Sequence, residues 1–569
     1  MKKLTSGQIV GIAILCLIAI FIVWKIVSVA LNSRELSYEE AKTKLEKIQK
    51  KISYRENFVT KRAIIDMDNT LDLKSTLPDI SKYPISVEPY IDNDCVVVEI
   101  FCSTEKSGQG SDGFINEVAK DFNNRNFILS NGKKAKVKIR SIASGTGFEF
   151  IASKKYLPDA FSPSNELWIK MLEPYNIKTT LIDKKLVGNV AGIVIKEKNY
   201  NELKNKYGNV DIKTLVDSTI QGDVAIGYTN PFASSTGLNF LLTVLYAFAK
   251  GDEGKMLSEE VISAFESFQQ GVPFVAFTTI QMRDSVEKGG SLDAFILEYQ
   301  TFFNTKELKS GYVFIPFGVR HDNPLYAIGD LDKDKIETLQ KFASFCKEDR
   351  YRRLAINYGF NQKEEYNSEI KEISGSTIIK AQRLWKEKKD AGKQIIAVFL
   401  CDVSGSMDGD PLYSVKKALI EGSKVINSDN YIGLVAFSSD VVKLLPIKQF
   451  NLTHKSSFLA AVKDLTAEGS TAMYDGIMVS LKMLVDEKEK NQNVKPMLFV
   501  LTDGETNTGL KFKEVEQIIK GIKIPIYTIG YNANISVLKQ LSSLNEAASI
   551  NAETEDVIYK ITSLFNAQM

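Results

Sequence analysis

A chain of 569 residues is too long for a single hydrophobic core and is expected to divide into two or three domains. Its composition is globular, and 72 basic against 70 acidic side chains leave no concentrated cationic face of the kind nucleic acid requires. Only two histidines, His321 and His454, argue against imidazole catalysis or a His-rich zinc site, and five cysteines without a CxxC pair exclude a zinc ribbon or thioredoxin-like motif. Cys16, Cys95, Cys102 and Cys401 lie in or beside apolar runs, where a free thiol acts as a small hydrophobe; a Cys95–Cys102 bridge is the alternative.

In chain order, Ile9 to Leu31 is an apolar run with Lys25 as its single charge. As a helix it rises about 35 Å, enough to cross a hydrocarbon core of about 30 Å, with Trp24 and Lys25 suited to the boundary. Met1-Lys2-Lys3 and Ser28-Val29-Ala30 also fit a cleaved signal peptide, but the run is longer than a usual h-region, which favours an uncleaved anchor. Arg34, Lys42, Lys44 and Lys47 follow the span, so the positive-inside count does not favour a cytoplasmic N-terminus. Tyr38, Ala41, Leu45, Ile48 and Ile52 then recur at helical spacing and predict a stalk helix that packs on a downstream domain; self-association is the alternative. Residues 66–92, with Pro78, Pro84 and Pro89, read as an irregular connector.

From Val96 the chain alternates strand and helix patterns. Strands are expected at Val96–Phe101, Lys136–Ile142, Gly188–Ile195 and Val224–Tyr228, giving an α/β region with largely parallel sheets. Ser103-Thr104, Ser144-Gly145-Thr146 and Ser234-Ser235-Thr236-Gly237 each set small hydroxyls and glycines before a helical pattern. Such loops can hold an anion on backbone N–H groups, and they also serve as ordinary caps and turns. Tyr228-Thr229-Asn230-Pro231 through Asn239-Phe240, Ser291 to Tyr299, Tyr326-Ala327-Ile328, Phe342 to Phe345 and Tyr358-Gly359-Phe360 together resemble the bacterial extracellular solute-binding proteins of the molybdate and phosphate type. The resemblance implies two α/β lobes with a ligand cleft between them, outside the cytoplasmic membrane. It places Ser103, Thr104, Ser144, Thr146, Ser235, Thr236 and Tyr299 toward that cleft, and a small solute or oxyanion within it.

The helical, charged segment Ala381–Asp390 leads into Ile395–Cys401, a strand apolar on both faces and so suited to the centre of a covered parallel sheet. It ends in Asp402-Val403-Ser404-Gly405-Ser406. A helix from Pro411 and strands at Tyr431–Phe437, Met497–Leu501 and Ile524–Ile529 follow, the order of a doubly wound sheet with its site at the carboxyl ends of the strands. Asp402, Ser404, Ser406, Thr471 and Asp503 supply two carboxylates and three hydroxyls from three loops. That set suits a hard cation, Mg²⁺ above all, with Mn²⁺ or Ca²⁺ as alternatives. No G-x-S-x-G elbow, phosphate cradle or Walker lysine accompanies it, and His454 is expected in a separate polar loop. Asp-x-Ser-x-Ser, the distant Thr471 and Thr502-Asp503-Gly504 resemble the von Willebrand factor A family, over about residues 394–569. The family's metal-ion-dependent adhesion site uses these five positions and leaves the metal open to an Asp or Glu from a protein partner. Glu546-Ala547-Ala548-Ser549 stands where family members commonly carry a glycine pair, a departure that bears on regulation rather than on the metal.

The fold class expected is therefore α/β: a transmembrane anchor (1–34), a helical stalk and connector (35–92), a bilobal periplasmic-binding-protein-like domain (93–370), a linker helix (371–393) and a doubly wound, Rossmann-like von Willebrand factor A domain (394–569). The expected function is that of a non-enzymatic, single-pass membrane protein with its bulk outside the cell, engaging a protein partner through Mg²⁺ and capturing a small solute, with no role for nucleic acid. The alternatives are an accessory component of a transport system, or an assembly factor whose lobes bind nothing.

Overall fold

The computed structural model describes residues 36–65, 73–272, 274–276, 282, 292–504, 506–531, 535–545, 547, 549–552 and 556–569. The run Ile9 to Leu31, with Cys16, lies outside them. Among the described residues no helix is long and apolar enough to cross a membrane.

Among the described residues, three sheets organise the mixed α/β chain. The largest has the strand order Tyr54–Glu56, Val441–Gln449, Tyr431–Phe437, Gln394–Asp402, Val494–Thr502, Ile526–Tyr531, Ser549–Ala552. Gln394–Asp402 is buried along its length from Ile395 and runs parallel to both neighbours, as its unbroken apolar run requires. From this centre the chain builds outward first on one side and then on the other, so strand order reverses between Gln394–Asp402 and Val494–Thr502. Asp402 and Asp503 stand at the carboxyl ends of these two strands, where a doubly wound sheet opens a crevice. The antiparallel strand Val441–Gln449 and the short Ser549–Ala552 were not legible as strands.

The N-terminal segment completes this same unit. Ser37 caps the helix Tyr38–Gln49, accepting from the Glu40 N–H while the Glu40 carboxylate accepts from the Ser37 N–H. Its apolar stripe buries Ala41 and Leu45 against the helices Phe512–Ile522 and Met473–Lys490, and Ile52 joins the same core. Gly521 permits the close approach, since a Cβ there would lie 2.5 Å from that of Ala41. Tyr54–Glu56 then pairs in parallel with Val441–Lys443.

Residues between these two parts form two further sheets. The six-stranded one has the order Ile85–Val87, Lys134–Ser141, Cys95–Cys102, Ala160–Ser162, Leu325–Ile328, Thr179–Asp183; the five-stranded one has Tyr312–Arg320, Val190–Lys196, Ala294–Glu298, Ile226–Thr229, Phe274–Ala276. The chain crosses between them twice, after Asp183 and after Arg320. Both sheets are mixed rather than largely parallel: Leu325–Ile328 runs antiparallel to both its neighbours, and so does Val190–Lys196. The returning crossovers impose this, because a strand entering from the other lobe arrives in the opposite direction. The supposed connector 66–92 contributes an edge strand, Ile85–Val87, antiparallel to Lys134–Ser141. Cys95 and Cys102 occupy opposite ends of one eight-residue strand, about 23 Å apart, so no bridge joins them, and the four described cysteines are free.

The helix Gly375–Lys388 and the C-terminal helix Val557–Gln568 tie the lobes to the large sheet. The Trp385 indole N–H donates to Tyr228 Oη (2.7 Å), and the buried Lys389 ammonium donates to the Gln568 carbonyl (2.9 Å) and to Asp390 (2.6 Å). From the other side, Tyr559 Oη donates to the Glu149 carboxylate and lies 3.1 Å from the Thr146 hydroxyl, which donates to it.

Candidate metal centre

Strand ends bring most of the predicted set together. Asp402 is fully buried; its Oδ1 accepts from the Ser404 N–H (2.8 Å) and its Oδ2 from the Thr502 hydroxyl (2.6 Å). Ser404 Oγ lies 3.2 Å from Ser406 Oγ, and the Ser406 hydroxyl donates to Asp503 Oδ1 at 3.1 Å. Neighbouring oxygens around an octahedral Mg²⁺ at about 2.0–2.1 Å stand about 3 Å apart, so these spacings fit a hard cation after a contraction of a few tenths of an ångström. Burial pushes the Asp402 carboxyl up from its ordinary value and the Asp503 charge adds to this, while the bonds from Ser404 and Thr502 pull it down. A divalent cation bound beside it would favour the ionised form.

Thr471 is buried on the neighbouring loop, which is tied to the serine loop by Gly405 N–H to Gly469 O (2.9 Å). Its hydroxyl takes no part in the serine–Asp503 chain of bonds. The backbone of Thr471 is held by the third loop: its N–H donates to Asn507 Oδ1 (2.8 Å), and its carbonyl accepts from the Thr506 hydroxyl (2.7 Å). Gly469 turns this loop at φ +80°, and a Cβ there would meet Ser439 Oγ at 2.6 Å, so glycine is required. Thr502 and Asn507 hold Asp402 and the Thr471 backbone in place, and sequence reasoning left both unassigned. Thr502 was visible only as a neighbour of Asp503, and nothing in the spacing marks Asn507. Among the described residues no group of three or more His, Cys, Asp or Glu side chains gathers; a centre here draws on two carboxylates and on hydroxyls.

His454 is not in a polar loop. It lies on the helix Leu452–Lys463, buried, with Nε2 donating to the Ile432 carbonyl at 2.7 Å, and burial lowers its pKa. It is a structural side chain.

In the lobes, Ser103, Ser144 and Ser235 converge on residues 162–168. Ser103 Oγ accepts from the buried Lys106 ammonium (2.7 Å), which also donates to the Ser162 carbonyl (2.7 Å) and Asn323 Oδ1 (3.0 Å). Ser144 Oγ accepts from the Ser164 N–H (3.2 Å), and Ser235 Oγ from the Trp168 indole (2.8 Å). Burial pulls the Lys106 ammonium down from its ordinary value, and pushes the neighbouring Glu105 carboxyl up to about 7 with the help of Glu298. Thr104 opens a single helical turn, Thr146 is bonded to Tyr559, and Thr236 Oγ1 is buried without a partner among the described residues. Tyr299 stands apart, packed among Phe302, Phe303 and Phe314 with the Lys363 ammonium 5.3 Å from its ring. The lobes touch directly: a Cβ on Gly145 would lie 2.3 Å from the Phe232 carbonyl. A second buried network joins Glu298 to the Asn189 amide (2.7 Å) and to His321 Nδ1 (2.8 Å), with the Asn165 amide against His321 Nε2 (3.0 Å). It bridges both crossovers.

These features define a mixed α/β protein with a doubly wound unit that gathers carboxylate and hydroxyl side chains at its switch point. Residues 397–567 match the von Willebrand factor type A domain, and the C-terminal unit is such a domain. Inter-alpha-trypsin inhibitor heavy chain H3 of Mesocricetus auratus is 28% identical over 151 residues, 24% of this chain and 17% of the relative. The match thus spans about a sixth of that relative's length. Among solved structures, the sulfate-binding protein SubI from Mycobacterium tuberculosis H37Rv covers 47% of this chain and 88% of its own at 17% identity and a TM-score of 0.33. A periplasmic thiamin binding protein covers 53% and 99% at 11% identity and a TM-score of 0.37.

Proposed function

We propose that the protein is a membrane-anchored, non-enzymatic binding protein whose A domain holds Mg²⁺ on Asp402, Ser404, Ser406, Thr471 and Asp503 and engages an acidic side chain of a protein partner. The observation that carries this reading is the chain Ser404 Oγ, Ser406 Oγ, Asp503 Oδ1 at 3.2 and 3.1 Å, set beside an Asp402 whose two oxygens are already oriented. Two carboxylates leave a bound divalent cation with little excess negative charge around it, so it stays attractive to a further carboxylate. The anchor is Ile9 to Leu31, with the bulk of the chain outside the cell. Mn²⁺ or Ca²⁺ is the alternative ion. Calorimetric titration of Mg²⁺ into wild type and Asp402→Ala tests the centre: binding is expected in the first and lost in the second, and equal binding in both would refute the site.

For the lobes, capture of a small solute or oxyanion is the first reading, supported by the buried, unpartnered Thr236 hydroxyl at the start of the helix Ser235–Phe248. A scaffold role is favoured by a different observation, the engagement of Ser103, Ser144, Thr146 and Ser235 by the chain's own polar groups. A thermal-shift screen with sulfate, phosphate, molybdate, amino acids and sugars separates the two. A stabilising ligand supports capture, and none across the panel supports the scaffold.

A further inference from the structure

On the six-stranded lobe, the first crossover meets the helices Lys333–Cys346 and Asp349–Asn357 around a cavity of about 480 Å³. Its size is within the range of small-ligand sites. None of the seven side chains expected to face the cleft lines it. The crossover wall is fixed by a reciprocal pair of bonds: the Gly188 N–H donates to Asn361 Oδ1 (2.7 Å), and the Asn361 N–H donates to the Gly188 carbonyl (2.8 Å).

The charged part of the lining is basic, with Lys185, Lys347 and Arg352 set against Glu364. Both lysines are already matched. Lys185 is paired with Glu364, and Lys347 with Asp183 at 2.5 Å, whose carboxylate also accepts from the Lys185 N–H (2.8 Å). The Arg352 guanidinium carries five N–H donors, yet among the described residues it has no ion pair and no hydrogen bond. One positive charge is therefore left over on the wall.

Apolar surface adjoins that charge. Arg352 and Ile356 stand four residues apart on the helix Asp349–Asn357 and so share a face, and Ile356 is exposed for 45% of its surface. Buried Phe114, Leu186 and Val187 line the same cavity. An unmatched guanidinium offers parallel N–H groups to a phosphate, sulfonate or carboxylate, and the apolar residues offer cover to whatever carries it.

We propose that this cavity binds a small organic anion, with Arg352 holding the charged group and Ile356, Leu186 and Phe114 packing on its apolar body. The site is independent of the metal centre and of any solute between the lobes.

The test titrates the full chain calorimetrically with phenyl phosphate, inorganic phosphate and benzylamine, with EDTA present so that no metal-bound anion contributes. Phenyl phosphate is expected to bind several-fold tighter than inorganic phosphate, and benzylamine to give no heat. Arg352→Gln changes an exposed position and is expected to weaken phenyl phosphate by about tenfold or more, and Arg352→Lys by less. Ile356→Ser should weaken phenyl phosphate several-fold and leave inorganic phosphate unchanged. Circular dichroism spectra of all three variants should match wild type. Full-strength binding by Arg352→Gln would place the anion elsewhere, the interlobe hydroxyls included, and overturn the proposal. Equal affinities for the two phosphates would overturn it as well, as would no heat from phenyl phosphate at about 1 mM.

Discussion

At the scale of single residues, the proposed centre rests on groups outside the proposed ligand set. Thr502 holds Asp402 through a 2.6 Å hydrogen bond to a buried carboxylate. Thr502→Val keeps the shape and removes that donor, and supports of this kind are worth about 10–100-fold in metal affinity. Calorimetry should therefore show Mg²⁺ binding weakened by at least about tenfold, with the circular dichroism spectrum unchanged. Glu149 is the residue with a readable pH signature. Burial pushes its carboxyl up to about 7, against the bond from Tyr559, whereas an exposed glutamate titrates near 4.5. Between these values the folded state holds the extra proton, so its contribution to stability falls as pH rises from about 4.5 to 7 and is level above that. Glu149→Gln removes the dependence: thermal midpoints should gain on wild type progressively across that window and hold a constant lead above it.

Single elements show how far local pattern reaches. The stripe Ala41, Leu45, Ile48 predicts a helix with one apolar face, and that face is buried as expected of an amphipathic element. Its partner is the A domain, far along the chain, and no local signal names it. Leu45 is fully buried there, so Leu45→Ala is expected to cost about 2–5 kcal/mol, read from chemical denaturation of the full chain. The strands Gln394–Asp402, Tyr431–Phe437 and Val494–Thr502 were legible because continuous burial leaves continuous apolar runs. Val441–Gln449 was not, because its half-exposed face interleaves Lys443, Pro446 and Lys448 with apolar residues. The mixed direction of the lobe sheets was equally hidden, since direction is set by where a crossover returns.

At the scale of the molecule, the A domain encloses the lobes in sequence and touches them in space. Trp385 is fully buried and bonded to Tyr228, on the helix that connects the two. Trp385→Ala should cost about 3–5 kcal/mol, and scanning calorimetry should show a second transition as lobes and A domain cease to melt together. The C-terminal helix offers a physical link from the lobes toward the Asp402–Ser406 loop. Tyr559 is bonded to Thr146 and Glu149, while Ile561 and Phe565 pack on Gly422 of the helix Asp410–Gly422, which begins just beyond the Asp402–Ser406 loop.

The α/β character, the central strands and the grouping of Asp402, Ser404 and Ser406 with Asp503 were legible along the chain, because each depends on spacing over a few residues or on a strand end. The sequence also indicated hydroxyl loops ahead of helices in the lobes. Only the tertiary structure decided what those hydroxyls meet: Thr146 pairs with Tyr559, Ser103 with a buried lysine, and Ser235 with Trp168. It alone brought residues 36–65 onto the A domain. The physical reason is common to these cases. A side chain's chemistry is local, but its partner is chosen by packing between segments hundreds of residues apart, and one sequence read along its length carries no record of that choice.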